Sequence, residues 1–168
     1  MAKLIVLSGV PGSGKSYFTN TVRKVKGSHV YVVSSDGIRE MVTGDPTNMN
    51  EDELIWKMYY EFAKVYAIDP NGVTIFDSTN IYKKHRYDTV KPIRHLFNEV
   101  YLVIFDIDKK IAANQNIQRD YPVPPSVIEE MRNNFESPDE EEKNFFTKIL
   151  YIHSRDDLAN TISEIIDQ

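Results

Sequence analysis

Gly9-Val10-Pro11-Gly12-Ser13-Gly14-Lys15-Ser16 is a glycine-rich stretch that closes on a lysine and a hydroxyl. It meets the pattern G-x-x-x-x-G-K-[ST] at every specified position, and that spacing serves to hold nucleotide phosphates. The glycines let the backbone turn tightly and bring its N–H groups to the β-phosphate. Pro11 and Ser13 fall inside the same cradle. Lys15 can reach the β- and γ-phosphates, and the Ser16 hydroxyl suits Mg²⁺. The apolar run Leu4-Ile5-Val6-Leu7 precedes the stretch, and a helix-like segment follows with free N–H groups and a positive dipole end. An incidental Lys-Ser pair on a glycine-rich turn is the lesser reading, because the required strand–turn–helix context is present.

Further candidates come just after later apolar runs. Asp36 follows Val30-Tyr31-Val32-Val33 and should face the same crevice as Lys15. A carboxylate there can take a proton from a hydroxyl nucleophile, or orient it, as oxygen attacks the γ-phosphorus. Arg39, three residues on, shares its side in a helical start and can hold an acceptor phosphate through its planar fork. A capping Asp beside an ordinary surface Arg is the alternative. Asp77 follows Val73-Thr74-Ile75-Phe76 and suits Mg²⁺, directly or through water, unless it serves only as a turn residue. Asn80 either braces that loop or binds substrate. Arg86, on the next helix, points toward acceptor phosphate or toward solvent.

Arg119 ends a helix before the joint Tyr121-Pro122-Val123-Pro124-Pro125. A lid near residues 109–135 would let it reach the γ-phosphate on closure, where charge develops in phosphoryl transfer. Arg132 is the lesser lid cation, and a helix-terminal Arg helped by the dipole is the alternative for Arg119. His29, His85, His95 and His153 lack metal-ligand spacing.

The elements that must position these groups alternate. Strands are expected at 3–8, 30–33, 73–76, 101–105 and 148–152. Helices are expected at 15–25, from Gly37 to near Thr43, at 51–68, 82–97 and 109–119, from Ser126 toward Phe135, and after Ser154. On the 51–68 helix, Leu54, Ile55, Met58, Tyr59, Phe62, Val65 and Tyr66 share one broad face. Pro92 bends or divides the 82–97 helix. Strands alternating with helices imply an α/β class: a three-layer P-loop NTPase fold with a central parallel five-stranded sheet and a helical lid. Ligands in such folds lie beyond the C-terminal ends of the strands.

The 168 residues suit one domain, 1–168, with 41% hydrophobic and 27% charged residues. There are no cysteines, no signal-peptide pattern and no run long enough for a membrane span, so a cytoplasmic protein without membrane partners is expected. The net charge of -5 gives no global attraction to nucleic acid, although a local basic cleft for one strand end stays open. Ten Tyr and 8 Phe could stack a base, but no aromatic–basic alternation marks a nucleic-acid surface.

With these residues in order, the chain resembles the P-loop kinase domain of phage polynucleotide 5'-hydroxyl kinases and related AAA_33 and zeta-toxin-like kinases. Gly9–Ser16 is similar to that family's phosphate loop. Asp36 and Arg39 match its Asp-x-x-Arg pair, which implies Asp36 as general base and Arg39 on acceptor phosphate. Asp77-Ser78-Thr79-Asn80 is similar to its Asp-x-Thr-Asn element, and Arg86 falls where an acceptor-side Arg often follows. Asn116-Ile117-Gln118-Arg119 resembles its lid segment and implies Arg119 as the transition-state arginine, with Gln115 standing where the family often has Arg. The similarity continues through Val123-Pro124-Pro125-Ser126-Val127-Ile128, Met131 and Phe135-Glu136-Ser137-Pro138.

The expected activity is Mg²⁺-dependent transfer of the γ-phosphoryl group of ATP to a hydroxyl by direct in-line attack. The resemblance alone favours ATP, and it favours the 5'-hydroxyl of a single-stranded DNA or RNA end as acceptor. A free-standing kinase is expected, without a fused phosphatase, nuclease or ligase. Kinases of nucleosides, antibiotics or sugars are the close rivals, and a nucleotide-dependent switch is the distant one.

Overall fold

Five short apolar runs assemble into one parallel sheet: β1 (Lys3–Ser8), β2 (Val30–Val33), β3 (Val73–Phe76), β4 (Glu99–Phe105) and β5 (Lys148–Ile152). The computed structural model describes residues 1–166, so the last two residues of the expected domain lie outside the described residues. Strand order is β2-β3-β1-β4-β5, which puts β1 at the centre. Val6 pairs with Phe76 on one side and with Leu102 on the other. The chain leaves β1 for the β2 edge and later returns to the opposite side, so the crevice opens beyond the C-terminal end of β1.

The helices are α1 (Lys15–Lys26), α2 (Ser35–Thr43), α3 (Asp52–Tyr66), α4 (Lys109–Ile117), α5 (Pro125–Asn133), α6 (Glu140–Phe145) and α7 (Arg155–Ile166). Successive β1 side chains point to opposite faces. Leu4 and Val6 join Ile38, Ile55, Tyr59 and Ile93 in one core, while Ile5 and Leu7 join Phe18, Val22, Leu158 and Ile162 in the other. These two cores make the three layers of a P-loop NTPase architecture. No helix among the described residues is long and apolar enough to cross a membrane.

Some expected elements differ. The 82–97 helix is a π-helical turn, Lys84–Asp88, followed by a 3-10 turn, Lys91–Leu96. Pro92 has no N–H to give and its ring crowds the carbonyl four residues back, so a continuous α-helix cannot form. Tyr87, Val90, Ile93 and Phe97 are nevertheless all buried, as their spacing predicts. On α3 the buried stripe is Ile55, Tyr59 and Ala63. Leu54 and Val65 face solvent, because a helix on a sheet covers only part of its circumference. α2 begins two residues before Gly37, with Ser34 Oγ accepting from the Gly37 N–H at 3.2 Å, so Asp36 sits in its first turn. α6 is unanticipated, although Asp139 and Glu142 form a capping box with a readable spacing.

The turn after α3 is held by Asp69, whose Oδ2 accepts from Tyr31 Oη at 2.7 Å and pairs with His29 Nδ1 at 2.6 Å. The Tyr31 hydrogen bond, then those from His29 and the Asn71 backbone, hold this carboxyl down at about 2. A depressed carboxyl contributes stability that is complete above its unfolded pKa of roughly 4 and fades as pH falls through the folded value. Urea midpoints measured across that window should decline, and Asp69→Asn should make the decline shallower.

Candidate active site

The loop after β1 is pinned before it turns. Ser8 Oγ donates to the Asn80 carbonyl at 2.9 Å, and the Gly9 N–H donates to the Thr79 carbonyl at 2.9 Å. Asn80 is buried, adopts φ 44° and donates from Nδ2 to the Leu7 carbonyl at 2.7 Å. Of its two expected roles, the structure displays the brace: its amide is spent on the strand that carries the loop.

Gly14 adopts φ 100° in open space, so backbone conformation alone demands glycine there. Gly12 adopts φ 80°, and a Cβ on it would lie 2.2 Å from the Ala112 carbonyl oxygen and 2.9 Å from the Asn116 nitrogen. The loop therefore lies directly against α4. Gly12→Ala should combine left-handed strain with a backbone clash and cost about 1–3 kcal/mol. Thermal melting and nucleotide titration would both register the loss, and unchanged values in both would refute this account of the contact.

Lys15 opens α1, and its Nζ donates to the carbonyls of Gly9 at 2.8 Å and Val10 at 2.9 Å. Burial pushes its ammonium down to about 8, with smaller opposing effects from Asp77 and Asp36 and a further lowering from Arg119. All three groups therefore act on one ammonium. Ser16 is exposed in the first turn of α1, while Ser13 is buried with no hydrogen-bond partner for Oγ. Asp77 accepts from Thr19 Oγ1 at 3.2 Å. Burial raises its carboxyl, with Lys15 and Thr19 pulling the other way.

Asp36 faces this group from the other wall. Ser78 Oγ donates to Ser35 Oγ at 3.0 Å and accepts from the Ser35 N–H at 3.3 Å, which ties the start of α2 to the β3 loop. The Asp36 carboxylate is 58% exposed, with Oδ1 3.1 Å from Arg39 Nη1 and Oδ2 3.9 Å from Arg119 Nη2. Arg39 is only 6% exposed, and its Nη2 donates to Asp52 Oδ1 at 2.8 Å. Its fork thus spans two carboxylates of the protein and holds Asp36 in place. Asp52 had no signal in the sequence, since nothing local reports which buried Arg it will meet.

Arg119 lies in the turn after α4, 37% exposed. Asn116 Nδ2 donates to the Val123 carbonyl at 2.7 Å, and the Val123 N–H donates to Asn116 Oδ1 at 3.0 Å. This two-bond clasp folds the Pro-rich joint back and sets the intervening turn beside Asp36. Gln115 is exposed.

Arg86 is not in the crevice. Its guanidinium is 0% exposed and forms a two-point pair with Glu142, Nε to Oε1 at 2.8 Å and Nη2 to Oε2 at 3.1 Å. Nη1 donates to the Ile81 carbonyl at 3.1 Å. It therefore meets neither acceptor nor solvent: the π-helical turn rotates it inward onto α6, an element the sequence reading lacked.

Lys15, Asp36, Asp77 and Arg119 are thus brought together, with Arg39 behind Asp36 and Asn80 beneath the loop. Ser16 lies in the first turn of α1 and Asp77 directly follows β3, and their hydroxyl and carboxylate are hard-oxygen donors of the kind Mg²⁺ takes. No group of three or more His, Cys, Asp or Glu side chains suited to a metal occurs among the described residues.

The AAA_33 model, an AAA domain, matches residues 4–138. A curated relative from Methanococcus maripaludis, an L-seryl-tRNA(Sec) kinase, is 25% identical over an alignment of 143 residues that covers 80% of this chain. The chain spans 53% of that relative's length. Chaetomium thermophilum Kti12 in complex with ADP-AlF3 is similar in fold, with TM-score 0.71 at 16% identity over 98% of this chain and 97% of that one. A chain of the Pnkp1/Rnl/Hen1 RNA repair complex aligns with TM-score 0.69 at 22% identity, over 86% of this chain and 46% of that one. At these identities the structural likeness establishes the fold.

Proposed function

The chain belongs to the AAA_33 family of AAA domains, and from that premise we propose that it is a kinase that moves the γ-phosphoryl group of ATP to a hydroxyl. The acceptor is the 5'-hydroxyl of single-stranded DNA or RNA. The observation that carries this reading is Asp36, a half-exposed carboxylate between Arg39 and Arg119 and within the electrostatic reach of Lys15. A nucleotide switch has no need of a base in that position. The curated relative is by name an L-seryl-tRNA(Sec) kinase, and a named substrate that carries RNA supports a nucleic-acid-bearing acceptor.

In this mechanism the loop N–H groups and Lys15 hold the phosphates, and Lys15 exchanges its carbonyl partners for phosphate oxygens. Asp36 takes the acceptor proton as its oxygen attacks the γ-phosphorus in line and ADP leaves. Ser16 and Asp77 would hold Mg²⁺, which would supply positive charge to the phosphate oxygens. Residues near 109–135 act as a lid, and Arg119 stabilises the charge that builds on the transferred oxygens. Arg119→Ala should lower kcat by ~100-fold or more with a smaller effect on ATP affinity. Steady-state rates beside a nucleotide titration would separate the two, and a loss confined to affinity would remove Arg119 from the transition state.

The direct test offers γ-labelled ATP with separate panels of 5'-hydroxyl oligonucleotides, nucleosides, antibiotics and sugars. Label on oligonucleotide 5' ends supports the assignment. Label only on small non-nucleotide acceptors rejects it, and nucleotide binding without product on any panel favours the switch.

A further inference from the structure

Away from the phosphate loop, α3 and the π-helical turn flank an open pocket of about 380 Å³ lined by Trp56, Tyr60 and His85, with Lys57, Asp88 and Thr89 beside them. Its size falls in the range of small-ligand sites. The Trp56 and His85 rings lie nearly parallel, 23° apart with centroids 5.4 Å from each other. Tyr82 stands edge-on to His85 at 5.4 Å. Burial, assisted by Lys84, pulls the imidazole below its ordinary value, so near neutrality it presents an uncharged ring.

The pocket lies near a residue tied to the proposed chemistry. Arg39 joins Asp36 at 3.1 Å to Asp52 at 2.8 Å. Trp56 follows Asp52 by four residues on α3, about 6 Å along the axis, and Asp52 acts electrostatically on His85. We propose that this pocket stacks a base of the acceptor strand, one lying inward from the nucleotide whose hydroxyl faces Asp36. The inference rests on the polynucleotide reading above.

The lining suits a base. Trp56, Tyr60 and His85 offer flat π faces, and such faces stack on any nucleobase. Lys57 and the exposed Lys84 supply cations for neighbouring phosphates in a protein of net charge -5, while Lys83 is committed to Asp139 and Glu141. The segment Tyr82-Lys83-Lys84-His85 is therefore a local aromatic–basic element that becomes legible only when Trp56 is packed against it.

Trp56 is the protein's single tryptophan and so reports on its own pocket. Without ATP, titration of wild-type protein with a single-stranded oligonucleotide should quench its emission to saturation. An oligonucleotide of equal charge made abasic at its inner positions should not. In label transfer, the wild-type KM should be lower for the based oligonucleotide than for the abasic one by about 5- to 150-fold, the span of base–aromatic stacking. His85→Ala and Tyr60→Ala should shrink that ratio toward one. Should either variant fail to fold, the wild-type emission and KM ratio still decide. Phosphorylated oligonucleotides with neither quenching nor base discrimination would overturn the pocket and leave the kinase reading standing. Base-dependent quenching without label on any oligonucleotide would support the base site and defeat the transfer reading.

Discussion

Replacing Asp36 with Asn is expected to lower phosphoryl transfer by ~10²- to 10⁴-fold, the usual contribution of a positioned general base. Asn retains a carbonyl oxygen that can accept from Arg39 Nη1, now 3.1 Å from Asp36 Oδ1, so the start of α2 should keep its geometry. What disappears is a group able to take the acceptor's proton. Nucleotide affinity should change little, because the phosphate cradle is built from the β1–α1 loop and Asp36 enters from the opposite wall. Single-turnover transfer with a parallel nucleotide titration separates these effects. Wild-type turnover in the variant would mean that another group, or the solvent, receives the proton. Asp52→Asn is the informative companion: it removes the second carboxylate on Arg39 without touching the proposed base, so its effect should be smaller and should spread across acceptor affinity and stability.

Glu142→Ala carries the largest expected cost to stability, about 3–5 kcal/mol. The Arg86 guanidinium has 0% exposure, so removing its carboxylate strands a cation out of reach of water. Against a typical domain stability of roughly 5–15 kcal/mol, that is a large fraction. The damage should extend to function. Arg86 Nη1 donates to the Ile81 carbonyl at 3.1 Å, next to Asn80, which braces the strand carrying the phosphate loop. Chemical denaturation should show the loss, with nucleotide affinity weakening at temperatures where the variant remains folded. A combined Arg86→Met, Glu142→Leu variant removes both charges and should recover much of the stability. A Glu142→Ala midpoint equal to wild type would show that the Arg86 cation is not stranded.

The contrast between Arg86 and Arg119 marks how far local sequence reaches. Both are arginines beside irregular backbone, and the sequence offers each a place near the reacting phosphates, with solvent the equal alternative for Arg86 and a dipole-stabilised helix end the alternative for Arg119. Arg119 lies beside Asp36 because the Asn116–Val123 clasp turns it there. Arg86 is carried away by a π-helical turn and is received by a glutamate 56 residues later. No periodicity within 82–97 encodes that partner. Arg39 shows the same limit in milder form: its i,i+3 relation to Asp36 was legible, whereas its bond to Asp52 depended on how α2 packs on α3.

By itself, the sequence determined the five strands, the central phosphate loop, the carboxylates after β2 and β3, and hence the α/β class and the crevice. Those features follow from short-range rules: alternating burial along strands, glycine where φ is positive, and helix starts that attract phosphate. Which charges remain free for a ligand and which neutralise one another was set by how distant segments pack. The tertiary structure put Arg39 across two carboxylates, buried Arg86 on Glu142, laid α4 on Gly12 and set Trp56 against His85. Charge pairing and ring stacking act through space between segments far apart in the chain, so their outcome depends on packing that no local pattern records.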